Sequence, residues 1–173
     1  MPRLSGTAGW KQAAQRARSG PGQRVAGCLP VPLRHDANHC YPRRMTGYTD
    51  THAAAGIDAP LPALETWPSP YAEPYEIVIS IPEFTSICPK TGLPDFAMLT
   101  VTYVPSGRCV ELKSFKEYLN AYRNLGIFNE NVVNRVLRDL AAILSPRTLS
   151  VRGVFTPRGG LQTTVQARFP YES

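Results

Sequence analysis

One thiol stands seven residues ahead of one carboxylate in Ser86-Ile87-Cys88-Pro89-Lys90-Thr91-Gly92-Leu93-Pro94-Asp95-Phe96, with two prolines and a glycine punctuating the connection. Cys88 can act as a nucleophile and Asp95 can carry its proton, because a thiol in a loop between strands is better placed to react than one in a core. No histidine follows His52, so a Cys-His dyad in the globular part is excluded and proton traffic at Cys88 must pass through a carboxylate, a lysine or water. The ordinary alternative is an inert, buried cysteine.

The elements that must position these residues follow from patterning. Glu76 to Ile81 is rich in β-branched residues and bounded by Pro82, which predicts a strand. Phe96 to Val104 predicts a second, and Pro105-Ser106-Gly107 turns into a third from Arg108 to Leu112. A helix is expected from Ser114 as N-cap through Phe115, Tyr118, Leu119 and Tyr122, and a second from Asn129. The second sets Val132, Val133, Val136, Leu137, Leu140, Ile143 and Leu144 on one side before Pro146. Leu149 to Thr156 and Leu161 to Phe169 alternate around Pro157-Arg158-Gly159-Gly160, a final hairpin. This order predicts an α+β fold, an antiparallel sheet of about four strands with two helices on one face. Its open edges and uncovered face favour a homo-oligomer.

The net charge of +6 divides unevenly. Residues 1–44 hold eight basic residues and one acid, whereas the remainder holds eleven basic and twelve acidic residues. The basicity therefore belongs to the N-terminal tail, and a nucleic-acid surface on the folded part is not expected. That tail is rich in Gly, Pro, Ala and Arg and reads as disordered. It could be a nucleic-acid arm, a targeting peptide, a metal-binding segment using Cys28, His35, His39 and Cys40, or an extension without function. Met45 opens a stretch of ordinary composition, so a native start there is expected, with residues 1–44 dispensable. The expected organisation is an extension over 1–64 and one catalytic domain over 65–173. No apolar run approaches the roughly 18 to 20 residues of a membrane helix, and four cysteines without a disulfide framework fit a cytoplasmic setting.

Four motifs in order carry a family resemblance: Cys88 to Ala97, Glu111-Leu112-Lys113-Ser114-Phe115-Lys116-Glu117-Tyr118-Leu119, Phe128-Asn129-Glu130-Asn131, and Phe155-Thr156-Pro157-Arg158-Gly159-Gly160. Over roughly residues 65–170 the chain resembles the single-module QueF nitrile reductases, which reduce 7-cyano-7-deazaguanine to 7-aminomethyl-7-deazaguanine on the route to the tRNA base queuosine. The resemblance implies the tunnelling fold shared with GTP cyclohydrolase I, in which such units associate into barrels with sites at subunit interfaces. It implies Cys88 as the nucleophile that adds to the nitrile carbon to give a thioimide, with Asp95 handling the proton. It implies substrate contacts from Val110, Glu111, Leu112, Asn129 and Glu130, and cofactor contacts from Lys113, Lys116, Arg158 and Gly159. NADPH is the implied cofactor, two per turnover because nitrile to amine takes four electrons, and no catalytic metal is expected. Many members carry His where this chain has Leu125 and Asn129, which removes any proton shuttle through those positions. The rival readings are a tunnelling-fold enzyme acting on a pterin or purine without reduction, an RNA-associated module, and a structural assembly protein.

Overall fold

The computed structural model describes residues 47–170. The tail residues read above as an arm, and the candidate start at Met45, lie outside the described residues. A compact unit begins at Gly47, earlier than the boundary expected at residue 65. The reason is a set of contacts from the helix that begins at Asn129: Arg135 donates to the carbonyls of Gly56 and Ala59, and Asn131 Nδ2 donates to that of Ala53 at 2.7 Å.

The chain order is α1 (Asp50–Ala53), β1 (Thr66–Pro68), β2 (Ile77–Ile87), β3 (Pro94–Val104), β4 (Arg108–Val110), α2 (Leu112–Ala121), a 3-10 turn (Tyr122–Asn124), α3 (Asn129–Leu144), β5 (Thr148–Phe155) and β6 (Thr164–Phe169). The main sheet is antiparallel in the order β2-β3-β5-β6, and α2 and α3 pack on one of its faces. The four-stranded α+β expectation holds.

Three local expectations are corrected. β2 does not stop at Pro82 but continues to Ile87 through a register shift between Ile81 and Phe84. Proline is tolerated there because β2 is an edge strand and the shift is a bulge. The third strand does not join the sheet: β2 and β5 already occupy both edges of β3, so β4 pairs with β1 instead. The helix caps also differ. Glu111, not Ser114, caps α2, accepting from Lys113 N at 2.8 Å and Ser114 N at 2.6 Å. Ser114 is drawn into the fold, its hydroxyl donating to the Glu111 carbonyl and accepting from Glu65 N at 3.0 Å. Phe128 holds the cap position of α3 without a side-chain bond, and Asn129 is its first residue.

The core forms where the α3 stripe Val132, Val133, Val136, Leu137, Leu140 and Leu144 meets Leu99, Val101, Leu149 and Val151 of the sheet, all at most 2% exposed. Each such side chain contributes roughly 1.5 to 3 kcal/mol. This layer fixes α3 against the sheet, so the ends of its strands and helices are held in register. The opposite sheet face leaves Val78, Phe96 and Met98 about half exposed, and no helix among the described residues is long and apolar enough to cross a membrane.

Candidate active site

Cys88 follows directly on β2, and Asp95 is the second residue of β3. Register pairs Ser86 with Asp95 and Ile87 with Pro94, so the thiol and the carboxylate belong to one tight connection. Cys88 N donates to Leu93 O and Gly92 N donates to Cys88 O, both at 2.9 Å, with Gly92 at φ +69°, a conformation glycine adopts without strain. The turn aims donors at the sulfur. Partial burial pushes the Cys88 thiol up, but hydrogen bonds from the Thr91 hydroxyl and from the Thr91 and Lys90 backbone outweigh it, and the net direction is below the ordinary cysteine value.

Asp95 moves the other way. Burial pushes its carboxyl up and the Arg158 charge pulls it down, with burial prevailing. Arg158 reaches it from the β5–β6 connection, one guanidinium nitrogen 2.9 Å from Asp95 Oδ1, and also donates to the Pro94 carbonyl. That connection is tied down by Arg158 N to Leu161 O at 3.0 Å and Thr156 N to Phe96 O at 2.8 Å, with Gly159 exposed at its tip. A thiol shifted down and an acid shifted up thus stand at one turn.

The start of α3 is stitched to the same place. Ile87 pairs in parallel with Gly126, through Ile87 N to Leu125 O at 3.0 Å and Ile127 N to Ile87 O at 2.9 Å. Asn129 and Glu130 in the first turn of α3 are thereby brought to the Cys88 end of the sheet, Glu130 exposed. Two buried oxygens here, Ser86 Oγ opposite Asp95 and Asn129 Oδ1, have no hydrogen-bond partner among the described residues. An unpaired buried polar group costs about 1 to 3 kcal/mol, so both await a water or a polar ligand.

The remaining sequence candidates lie elsewhere. Val110 N donates to the Tyr103 hydroxyl at 3.2 Å. Eight residues of extended strand separate Tyr103 from Asp95, a span of about 26 Å. Val110, Glu111 and Leu112, with Lys113 after them, thus lie toward the opposite end of the sheet from Cys88, whereas Lys116 stands midway, beside Ile79 to Glu83 of β2. Within one chain the first four do not meet Cys88. Glu111 spends both carboxylate oxygens on the α2 cap, and those backbone bonds, from Ser114 and then Lys113, hold its carboxyl below the usual range. Between β2 and α2 runs a groove of about 400 Å³, walled by Ile79, Ile81, Phe115 and Leu119 and carrying Lys116 and Arg123. The slot carries two cations against one carboxylate, Glu83.

Sequence reasoning missed Thr91, whose only signal was a small hydroxyl beside the turn glycine, and Ser86. It named Arg158 for the cofactor and did not foresee its ion pair with Asp95. Among the described residues no cluster of three or more His, Cys, Asp or Glu side chains is placed to hold a metal ion.

Residues 94–172 match the family model described as QueF-like protein. An NADPH-dependent 7-cyano-7-deazaguanine reductase of Elusimicrobium minutum (strain Pei191) is 49% identical over 123 residues, which span 71% of this chain and 93% of that protein. Proteins of the same name from Anaeromyxobacter sp. (strain K) and Chlorobium luteolum are each 53% identical, over 61% and 59% of this chain and 87% and 89% of theirs. The crystal structure of the archaeosine synthase QueF-Like in the apo form superposes with a TM-score of 0.52 at 23% identity, covering 56% of this chain and 94% of that one, a likeness of fold. The sheet with two helices on one face is the tunnelling-fold unit.

Proposed function

This chain belongs to the family of NADPH-dependent 7-cyano-7-deazaguanine reductases, and from that premise we propose that it reduces the nitrile of 7-cyano-7-deazaguanine to the aminomethyl group, in queuosine biosynthesis, with Cys88 as nucleophile and Asp95 as proton carrier. The observation that carries the assignment of roles is the register that sets Cys88 and Asp95 at one tight turn, with Arg158 2.9 Å from the carboxylate; a lowered thiol and a raised acid accord with it.

The Cys88 thiolate adds to the electrophilic nitrile carbon while Asp95 gives its proton to the nitrogen, leaving a thioimide. Arg158 steadies the Asp95 carboxylate once that proton has gone, and the N–H groups of the Lys90-Thr91 turn receive the negative charge when the thiolate is released. Glu130 accepts two hydrogen bonds from the ring N–H and exocyclic amine of the base, and Asn129 Oδ1 and Ser86 Oγ are polar groups free to satisfy it. When bound, NADPH supplies hydride in two successive deliveries, which accounts for the four electrons. Lys116 and Arg123 in the β2–α2 groove, with Lys113 in the first turn of α2, would hold its phosphates.

The separation of Cys88 from Val110, Glu111, Leu112 and Lys113 supports a site completed by a second copy of the chain. The two open edges, β2 and β6, and the exposed Val78, Phe96 and Met98 are the surfaces available for that association. Free thiols at Cys88 and Cys109 suit a reducing, cytoplasmic compartment.

Intact-protein mass spectrometry after incubation with 7-cyano-7-deazaguanine tests the reading. A gain of one substrate mass that maps to Cys88, is absent in Cys88→Ala and disappears on adding NADPH is expected. A folded protein that shows no gain would point instead to a tunnelling-fold enzyme acting on a purine or pterin without reduction.

A further inference from the structure

The turn that carries Cys88 is braced by a segment that the chemistry above does not use. Lys90, two residues beyond Cys88, donates from Nζ to the Gly47 carbonyl at 3.1 Å, and the same ammonium lies 5.2 Å from the centre of the Tyr48 ring. That distance is inside the roughly 6 Å range of a cation–π contact. On its other side the Tyr48 ring packs against Phe128 with centroids 5.6 Å apart. Phe128 is the cap residue of α3, immediately before Asn129 and Glu130. Tyr48 thus touches the Cys88 turn and the substrate-facing start of α3 at once.

The segment is built to hold that ring in place. Thr49 and His52 form a capping box on α1, with Thr49 Oγ1 2.7 Å from His52 Nδ1, and the His52 ring lies edge-on to Tyr48. Further along, Gly56 at φ +75° lies so close to the loop before α3 that a Cβ there would fall 2.6 Å from the Gly126 carbonyl oxygen. Gly126 is the residue paired with Ile87 at the end of β2. The Tyr48 side chain is 71% exposed, so burial of apolar area does not account for its position. What it does in the fold is touch Lys90, Phe128 and His52.

We propose that Tyr48 is a positioning residue: its ring, in contact with Phe128, holds the Lys90 side chain and so fixes the turn whose backbone N–H groups face the Cys88 sulfur. The proposal rests on the reading of Cys88 as the nucleophile. Without the Tyr48 ring the Lys90 ammonium loses one of its anchors and its side chain samples more rotamers, which loosens the backbone that bears it. With Nζ tied to Gly47 and to the Tyr48 ring, the Lys90 and Thr91 N–H groups stay pointed at the sulfur, and the thiolate keeps its donors.

The test is alkylation of the full chain by iodoacetamide across a pH range, with modification at Cys88 followed by peptide mass spectrometry, in the parent, Tyr48→Ala and Tyr48→Phe. The charged and titratable groups around Cys88 are Lys90 in its own turn, Asp95 of β3, Arg158 of the β5–β6 connection, Glu130 beyond Phe128 and His52 beside Tyr48. All are retained in both variants. Tyr48→Ala is expected to alkylate about two- to five-fold more slowly at neutral pH, with its midpoint moved to higher pH and its alkaline plateau unchanged. Tyr48→Phe, which keeps a ring face for Lys90, is expected to match the parent. A parental rate and midpoint in Tyr48→Ala, or a loss in Tyr48→Phe equal to that in Tyr48→Ala, overturns the proposal. Should Tyr48→Ala fail to fold, Tyr48→Leu takes its place with the same two outcomes, since it keeps apolar packing on Phe128 without a ring for Lys90. Alkylation requires no nitrile, so failure of the reductase reading would appear separately, as absence of the mass gain with 7-cyano-7-deazaguanine.

Discussion

Arg158 and Asp95, far apart in the chain, meet with a guanidinium nitrogen 2.9 Å from the carboxylate Oδ1. The contact leaves the acid raised, because burial outweighs the cation, yet it limits how far the acid rises. Removing the charge in Arg158→Gln therefore moves Asp95 further up. The acid limb of the kcat/KM profile, which belongs to the Cys88–Asp95 pair, should shift to higher pH, with turnover at neutral pH falling about two- to ten-fold, a modest figure because the pair is partly solvated. A raised KM for NADPH with an unmoved limb would return Arg158 to the cofactor.

Thr91 is the residue whose hydroxyl most favours the Cys88 thiolate. Thr91→Val removes that donor, together with the 3.3 Å bond by which the same oxygen accepts from Leu93 N, and leaves the Cys88 N to Leu93 O and Gly92 N to Cys88 O bonds in place. Alkylation of Cys88 at neutral pH should slow by about five-fold, the effect of a charged hydrogen bond discounted for solvent, and recover at alkaline pH. An unchanged midpoint would mean that the backbone donors alone set the thiol.

Glu111 should matter to stability through the cap it gives α2. Its carboxyl lies below the ordinary range through the bonds to Ser114 and Lys113, so the stabilisation it gives is present above the unfolded glutamate value and is lost as pH falls through the lower folded value. Glu111→Ala should lower the melting temperature at neutral pH, with the gap from the parent closing in acid. Melting curves of the two proteins from pH 7 to pH 3 decide it, and a gap independent of pH would reject the charged cap.

Why the sequence showed the frame but not these contacts follows from the range over which each is set. The α3 stripe from Val132 to Leu144 is written in its own spacing, and the Cys88-to-Asp95 connection in its prolines and glycine, because both are local. The Glu111 cap was hidden because serine is the commoner cap and Ser114 stands in reach, and only the long-range bond from Glu65 shows that its hydroxyl is committed elsewhere. The course of β2 past Pro82 depended on a bulge at a sheet edge, and the Arg158–Asp95 pair on how the β5–β6 connection folds back over β3. The contacts of Tyr48 with Lys90 and Phe128 join three segments that no periodicity links.

Glu130 is exposed at the start of α3, at the end of the sheet where Cys88 lies. Glu130→Ala should weaken binding of 7-cyano-7-deazaguanine by about 1.5 to 3 kcal/mol, the range for hydrogen bonds to a charged group. Titration calorimetry reads this directly. Alkylation of Cys88 in the same variant should match the parent, because Glu130 is not among the groups that set the thiol. Parental affinity would leave Glu130 as a helix-terminal charge on the macrodipole.

The distance of about 26 Å along β3 between the Asp95 end and the Tyr103 end makes the sharpest demand on assembly. If a working site takes Cys88 and Asp95 from one copy and Lys113 and Lys116 from another, two inactive variants should repair each other. Cys88→Ala lacks the nucleophile and Lys113→Ala/Lys116→Ala lacks the cofactor cations, so each alone should be close to inactive. In a mixed oligomer formed from equal amounts, about a quarter of the sites draw an intact half from each partner, and about a quarter of parental turnover should return. If instead one chain held the whole site, no chain in the mixture would be complete and no activity would return.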